Sequence, residues 1–323
     1  MNDLTTTGVL ADTARDFTVS VLNCGARYTA KWEAVNSLVG RASSMPIFQE
    51  AQGSLAELQS WVRAHLRSAG GFVYRGQKAN YSLSSTLERA CREPDGALST
   101  AARSLEDRCV REFQRRVHHY VPDVPRPSHR FEILALMQHH GAPTRLLDWT
   151  YSLEIATHFA LAQGADEPQT DVAVWVVNDT WCKAAAIDVL RPTRTDPDLR
   201  MLDIAIAYRN EPHLAKILLG EPVVPFVFPV NPFRLNQRLT IQKGVFLCPG
   251  DMTRSFEENL CALDGHHREE NVLKFVLPPS CRQDATERLY ELNISESTLF
   301  PGLDGFARSL KTTLRFLERR RRL

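Results

Sequence analysis

The polar side chains best suited to chemistry are concentrated in one short stretch, residues 138–150, which reads QHHGAPTRLLDWT. It holds two imidazoles, a guanidinium, a carboxylate, two hydroxyls and an indole, groups that bind anions and exchange hydrogen bonds. Gly141 can end a helix in a left-handed conformation, and Pro143 prevents that helix from continuing. We therefore expect these groups at a sharp turn between two packed helices, a usual place for a binding site. The alternative is a buried structural turn in which Arg145 and Asp148 satisfy each other and nearby carbonyls.

A second candidate is Arg75, which closes the short apolar strand predicted over residues 72–77. A guanidinium held rigidly beside a cleft is suited to a phosphate or a carboxylate, because its planar fork donates two parallel hydrogen bonds. The alternative is an exposed arginine at the end of a strand.

The surrounding pattern predicts the elements that must position these groups. Ser54 with Glu57, and Ser85 with Glu88, are capping boxes that begin helices. Apolar spacing predicts helices at 55–66, 105–120, 129–140, 152–163, 202–219, 283–292 and 303–321, and strands at 172–177, 223–230, 245–247 and 273–276.

Helices followed by strands mixed with helices indicate an α+β fold with a mostly antiparallel sheet flanked by helices. We expect residues 1–52 to form a helical N-terminal extension, in which 18–22 could be a strand. Residues 53–323 would form the main domain with its C-terminal helices.

Composition excludes several classes of protein. With 323 residues and a net charge of +1, nothing favours binding to nucleic acid or a membrane through overall charge. The seven cysteines include no Cys-x-x-Cys pair and no long apolar run is present, so we expect a cytoplasmic protein with reduced thiols and no membrane partner. No dinucleotide-binding glycine motif, P-loop, serine-hydrolase elbow or HExxH zinc motif occurs.

The motifs resemble those of the FRG domain family, which is named for an F/Y-R-G sequence. The matching segments are 74–77 (YRGQ), 138–150 and 156–160, and 236–246 (NQRLTIQKGVF) is similar to that family's R-x-x-x-Q-x-G-x-F segment. The likeness covers about residues 55–310. The order of the motifs is similar to that of the ADP-ribosyltransferase-like fold: an arginine on a strand, a motif leading into a helix, and a third motif near a strand.

This resemblance implies that NAD is a substrate and that ADP-ribose is transferred to a protein, a nucleic acid or water. Arg75, Asp148 and Gln242 would be the catalytic residues. Many transferases of this kind carry a glutamate where this chain has Gln242, so Gln242 would hold a ribose hydroxyl and Asp148 would supply the negative charge. Proteins that consume NAD are frequently toxins or defence effectors, which implies a toxin or phage-defence effector.

The remaining residues of these motifs would bind the substrate. Gly76 would let the backbone approach the ligand, and Trp149 could stack on nicotinamide. The other expected substrate-binding residues are Gln77, His139, His140, Thr144, Arg145, Thr150 and Arg238.

Two alternatives belong to other classes. His139, His140, Asp148 and His158 could bind a divalent metal for phosphoester hydrolysis, although pairing of His158 with Glu154 on one helix explains that histidine more simply, and no metal is expected. In the second alternative, the same residues form a module that binds a nucleotide or a partner without turnover, which the missing glutamate favours.

Overall fold

The computed structural model describes residues 48–195, 197, 211–232 and 237–320. Its centre is a seven-stranded sheet in the order β1-β7-β4-β2-β3-β6-β5. The strands are β1 Gln49–Gln52, β2 Phe72–Lys78, β3 Leu147–Thr150, β4 Val172–Asn178, β5 Val227–Val230, β6 Gly244–Pro249 and β7 Val272–Leu277.

The sheet is mixed, and its parallel pairing was not predicted from the sequence. The edge strand β1 pairs in parallel with β7, while the other neighbours in the order pair antiparallel. β1 lies within the segment predicted as an extension, and the rest of that segment, 1–47, including the strand predicted at 18–22, lies outside the described residues.

Helices cover both faces of this sheet, which makes the fold α+β as predicted. They are α1 Leu55–Ala69, α2 Thr86–Ala90, α3 Ala102–Arg116, α4 Arg130–His139, α5 Leu153–Gln163, α6 Asp179–Leu190, α7 Glu211–Leu219, α8 Gln237–Ile241, α9 Phe256–Cys261, α10 Pro279–Glu291, α11 Glu296–Leu299 and α12 Leu303–Arg320. Among the described residues, none of these helices is both long and apolar enough to cross a membrane.

Two apolar cores lie on opposite faces of the sheet. One includes Phe131 of α4 and Phe246 of β6, and the other includes Leu58 of α1 and Phe275 of β7. Every residue of β4 is buried, because this central strand is covered on both faces. That explains why its sequence is continuously apolar and lacks the alternation of a half-exposed strand.

Local sequence signals explain where several helices begin and end. The capping box of Ser54 and Glu57 is present at the start of α1, and Gly70 ends that helix with a φ of 75°. Ser85 caps α2 by accepting from the backbone of Glu88, but the Glu88 side chain binds the backbone nitrogen of Phe256 instead of closing a box.

The central motif was only partly predicted. The helices expected at 129–140 and 152–163 are α4 and α5, and Gly141 has the left-handed φ of 79° that ends a helix. The residues between them are not merely a turn, because β3 inserts between β2 and β6 in the sheet. The last four residues of the motif therefore form a strand inside the sheet. The helix predicted at 202–219 is seen as α7, and the part before residue 211 is outside the described residues.

Candidate ligand-binding site

A cavity of about 220 Å³ opens beside β2 and β3. Its walls come from four separate parts of the chain: β2, α4, α5 with β3, and α8 with the start of β6. The lining residues are Tyr74, Arg75, Gly76, Ala135, Gln138, His139, Asp148, Trp149, Thr150, Phe159, Gln163, Arg238, Leu239, Gln242, Gly244 and Phe246.

Arg75 is the cation at the β2 wall. Its Nη1 donates to the main-chain oxygen of Asp148 at 2.6 Å, and its buried Nε has no hydrogen-bond partner among the described residues. Burial lowers the pKa of Arg75, the nearby Asp148 carboxylate opposes that shift, and Arg89 adds to it. An arginine keeps its charge at neutral pH in such surroundings, so the cavity contains a guanidinium with hydrogen-bond capacity left over.

Asp148 is the carboxylate of the cavity. Its side chain is exposed, and Gln138 Nε2 donates to its Oδ2 at 2.9 Å. Gln138 is oriented in turn by Thr144, whose hydroxyl donates to Gln138 Oε1 at 2.5 Å. Thr144 is fully buried and does not line the cavity, so it positions Gln138 and does not touch a ligand there.

Gln242 lies on the cavity wall, but both ends of its amide are already bound. Its Nε2 donates to the main-chain oxygen of Leu299 at 3.1 Å, and its Oε1 accepts from Arg238 Nε at 3.4 Å. The Arg238 guanidinium also lies over the ring of Phe300, 4.7 Å from its centroid. The segment around α11 thus holds two residues of the cavity in place.

Gly76 lines the cavity and also has a packing role that the sequence did not predict. A Cβ at this position would lie 1.8 Å from the main-chain oxygen of Ala156 and 2.5 Å from the nitrogen of Ala160. Both atoms belong to the backbone of α5. The space that glycine leaves is therefore filled by this helix.

Arg145 does not line the cavity, which corrects its assignment to substrate binding and to a pair with Asp148. It is 3% exposed and forms a bidentate ion pair with Glu106 of α3, with Nε–Oε1 and Nη2–Oε2 distances of 3.0 and 2.6 Å. Burial alone would raise the pKa of Glu106, but the guanidiniums of Arg145 and Arg130 hold it below its usual value.

The other sequence candidates divide between the cavity and its surroundings. His139 and Trp149 line the cavity, and burial together with the neighbouring His140 and Arg238 lowers the pKa of His139. His140 is exposed at the end of α4 and does not line the cavity.

Thr150 and Gln77 are engaged by the protein itself. Thr150 lines the cavity but donates its hydroxyl to the main-chain oxygen of Gln242 at 2.7 Å. Gln77 donates to the main-chain oxygen of Tyr81 at 2.7 Å and lines a separate, larger cavity next to the first.

The histidines proposed as metal ligands do not form a cluster. Within the described ranges, no group of three or more His, Cys, Asp or Glu side chains could hold a metal ion. His158 pairs with Glu296 of α11 at 3.3 Å, and not with Glu154 as expected. The Glu154 carboxylate accepts instead from Gln59 and Ser152.

Eight residues that line the cavity were not among the binding candidates, and they include Gln138, Phe159 and Gln163. Gln138 opens the central motif and could have been included on that ground. Phe159 and Gln163 follow on α5 four residues apart, so they share one face of the helix, but only the packing of α5 on β2 shows that this face meets the cavity.

Comparison with protein families supports the resemblance drawn from the sequence. Residues 70–169, which include β2, the central motif and α5, match the family model of the FRG domain. The segment around Gln242 lies outside this match. Comparisons with curated proteins and with solved structures gave no match.

Proposed function

We propose that this protein binds NAD in the cavity and cleaves the bond between nicotinamide and ribose, as an ADP-ribosyltransferase or an NAD glycohydrolase with an ADP-ribosyltransferase-like fold. One observation supports the proposal above all others. Arg75, Asp148 and Gln242 come from three distant parts of the chain and line one cavity. This arrangement supports the proposal, because the three residues could act on one bound ligand.

The charges of the cavity suit this chemistry. When the glycosidic bond breaks, its electron pair leaves with nicotinamide and positive charge develops on the ribose. The exposed Asp148 carboxylate, held by Gln138, would stabilise that charge, and Arg75 would bind the diphosphate. Water or an acceptor then bonds to the ribose carbon and loses a proton. Cytoplasmic NAD would be the source of the substrate.

The test is release of nicotinamide from NAD by the purified chain, followed by mass spectrometry with and without cell extract. Arg75→Ala and Asp148→Asn should each lower release about 100-fold or more, because each removes a charge that acts on the reacting substrate. Arg111→Ala and Asp188→Asn, which change exposed residues outside the cavity, are the matched controls. Wild-type protein that binds NAD but releases no nicotinamide would refute catalysis.

One observation favours a second candidate, a nucleotide-binding module without turnover. The amide of Gln242 is held at both ends by protein groups, and it adds no charge to the cavity where a glutamate would add one. Saturable NAD binding that Arg75→Ala weakens, with no product after long incubation, would identify this alternative.

A role as a toxin or defence effector follows if the enzyme is active. Expression of the intact chain should then lower cellular NAD and slow growth, and Arg75→Ala should relieve both effects. Growth impairment that persists in Arg75→Ala at the same protein level would argue against NAD consumption as its cause.

A further inference from the structure

A second, larger cavity of about 1050 Å³ adjoins the first. The two cavities share Arg75 and Gln163 as lining residues. The larger one extends along the loop after β2, past α2, to the loop that precedes α9. Polar and apolar atoms contribute about equally to its walls. The charged lining residues are Arg75, Arg89, Arg92, Glu88, Glu257 and Glu258, and the hydroxyl-bearing ones are Tyr81, Ser82, Ser84, Thr253 and Ser255.

The volumes of the two cavities indicate how much of a ligand each cavity can hold. Pockets for drug-sized ligands measure roughly 300–1000 Å³, and a dinucleotide is at the upper end of that class. The first cavity, at about 220 Å³, has room for one end of a dinucleotide only. The rest of such a ligand lies outside the first cavity, and the larger cavity adjoins it at Arg75 and Gln163.

Two guanidiniums line the larger cavity near its junction with the first, Arg75 at the junction itself and Arg89 close enough to affect the pKa of Arg75. Neither Arg75 nor Arg89 forms an ion pair with a carboxylate of the described residues, and both line the larger cavity. Each donates one hydrogen bond to a main-chain oxygen, Arg75 to Asp148 and Arg89 to Ser84 at 2.6 Å. Two cations that share a wall repel each other, and an anion bound between them relieves that repulsion.

We infer that the larger cavity binds the adenosine diphosphate half of the dinucleotide, with Arg75 and Arg89 on the diphosphate. This inference rests on the proposed function for the identity of the ligand. It adds Arg89, which belongs to none of the sequence motifs, as a binding residue. It also divides the site: nicotinamide and its ribose lie in the small cavity, and adenosine lies in the large one.

The walls of the larger cavity suit adenosine. Tyr81 is 50% exposed and offers a ring on which a base can stack. The hydroxyls of Thr253 and Ser255 and the carboxylate of Glu257 can exchange hydrogen bonds with ribose hydroxyls. One oxygen of Glu257 accepts from the backbone of Leu83 at 2.8 Å, which fixes the position of that carboxylate.

The experiment measures binding of two probes by calorimetry. ADP contains the inferred half of the ligand and has no glycosidic bond to nicotinamide, so turnover does not affect its binding. Nicotinamide mononucleotide contains nicotinamide, its ribose and one of the two phosphates, but no adenosine. Arg89→Gln should weaken ADP binding about 10-fold, the loss expected for one charge-assisted contact, and should change binding of the mononucleotide less than 2-fold.

A second variant and a control keep the test decisive. Ser82→Trp places a bulky ring on an exposed position of the larger cavity, so it should block ADP without removing any charge. Arg111→Gln, on an exposed position outside both cavities, should bind ADP like the wild type. Thermal unfolding of each variant shows that it is folded.

The outcomes separate this inference from the proposed function. If ADP does not bind, or binds equally to wild type, Arg89→Gln and Ser82→Trp, the adenosine site is refuted even where nicotinamide is released from NAD. If ADP binding depends on Arg89 and on an unblocked Ser82, the site stands, even where no nicotinamide is released and the reaction itself is refuted.

Discussion

Arg75 and Arg145 lie in the two sequence motifs and have opposite surroundings. The guanidinium of Arg145 donates hydrogen bonds to Glu106 and to the main-chain oxygens of Pro249 and Gly250. Among the described residues, Arg75 makes one hydrogen bond, through Nη1, and its Nε has no partner. A guanidinium whose donors are bound by protein is structural, and one with donors left at a cavity is available to a ligand.

The ion pair of Arg145 and Glu106 should be important for stability. Glu106→Gln would leave a buried guanidinium without its counter-charge, at a cost of about 3–5 kcal/mol in the free energy of unfolding. Chemical denaturation of wild type and variant measures this difference.

Glu112→Gln provides the matched control on the same helix. Glu112 is exposed and pairs with Arg115 and Arg116 at the surface, so its substitution should cost less than about 1 kcal/mol. Equal effects of the two substitutions would show that Arg145 does not depend on Glu106.

At the scale of elements, the contact between β2 and α5 sets the geometry of the cavity. Gly76 lets the helix backbone lie directly on the strand, and the small residues Ala156 and Ala160 face it. Gln163, near the end of the same helix, donates to the main-chain oxygen of Gly76 at 3.3 Å. Because α5 lies so close to β2, Phe159 and Gln163 line the same cavity as Arg75.

Gly76→Ala should therefore disrupt this contact. The added methyl group would overlap the main-chain oxygen of Ala156, so α5 must move away from the strand. We expect a loss of about 3 kcal/mol or more in the free energy of unfolding. Denaturation measures the loss, and hydrogen exchange of α5 amides locates it.

Gly71→Ala, just before the same strand, is the control. Nothing lies within 4 Å of the position that its Cβ would occupy, so this variant should be near wild type in stability. A Gly76→Ala protein as stable as Gly71→Ala would mean that the helix does not rest on the strand as described.

At the scale of the whole molecule, the apolar cores on the two faces of the sheet are accompanied by several buried acidic side chains. Glu211, at the start of α7, is 6% exposed and accepts a hydrogen bond from the backbone of Phe131. Its Oε2 has no partner among the described residues. Burial, with a further contribution from Glu132, raises the pKa of Glu211 from 4.5 to about 7.

This raised pKa gives the whole chain a pH-dependent stability. Between pH 4.5 and about 7 the folded protein holds a proton on Glu211 that the unfolded chain has lost, so the free energy of unfolding falls as pH rises. The contribution of this group is fully present below pH 4.5 and declines by about 3 kcal/mol across the window.

Glu211→Gln removes the titration and keeps an oxygen that can accept from Phe131. The variant should gain stability relative to wild type as pH rises from 4.5 to 8, by up to about 3 kcal/mol. Denaturation at a series of pH values measures this gain, with Glu112→Gln as a control whose difference from wild type stays flat. Parallel profiles for Glu211→Gln and wild type would contradict the assignment.

Much of the fold could be predicted because its signals are local. The capping residue Ser54, the left-handed Gly141 and the apolar periodicity of α4 and α5 depend on neighbours a few residues away. The sequence by itself thus determined the α+β class, most helices and strands, and the two motifs that match the FRG domain. It also singled out Arg75, Asp148 and Gln242.

Only the tertiary structure decided what each polar group does. Pairing partners such as Arg145 with Glu106, or His158 with Glu296, are distant in sequence and are chosen by packing. For the same reason, the sequence did not reveal that β3 enters the sheet or that β1 pairs in parallel with β7. A cavity is a property of elements that meet in space, so its walls, including Gln163 and Arg89, become visible only when the chain has folded.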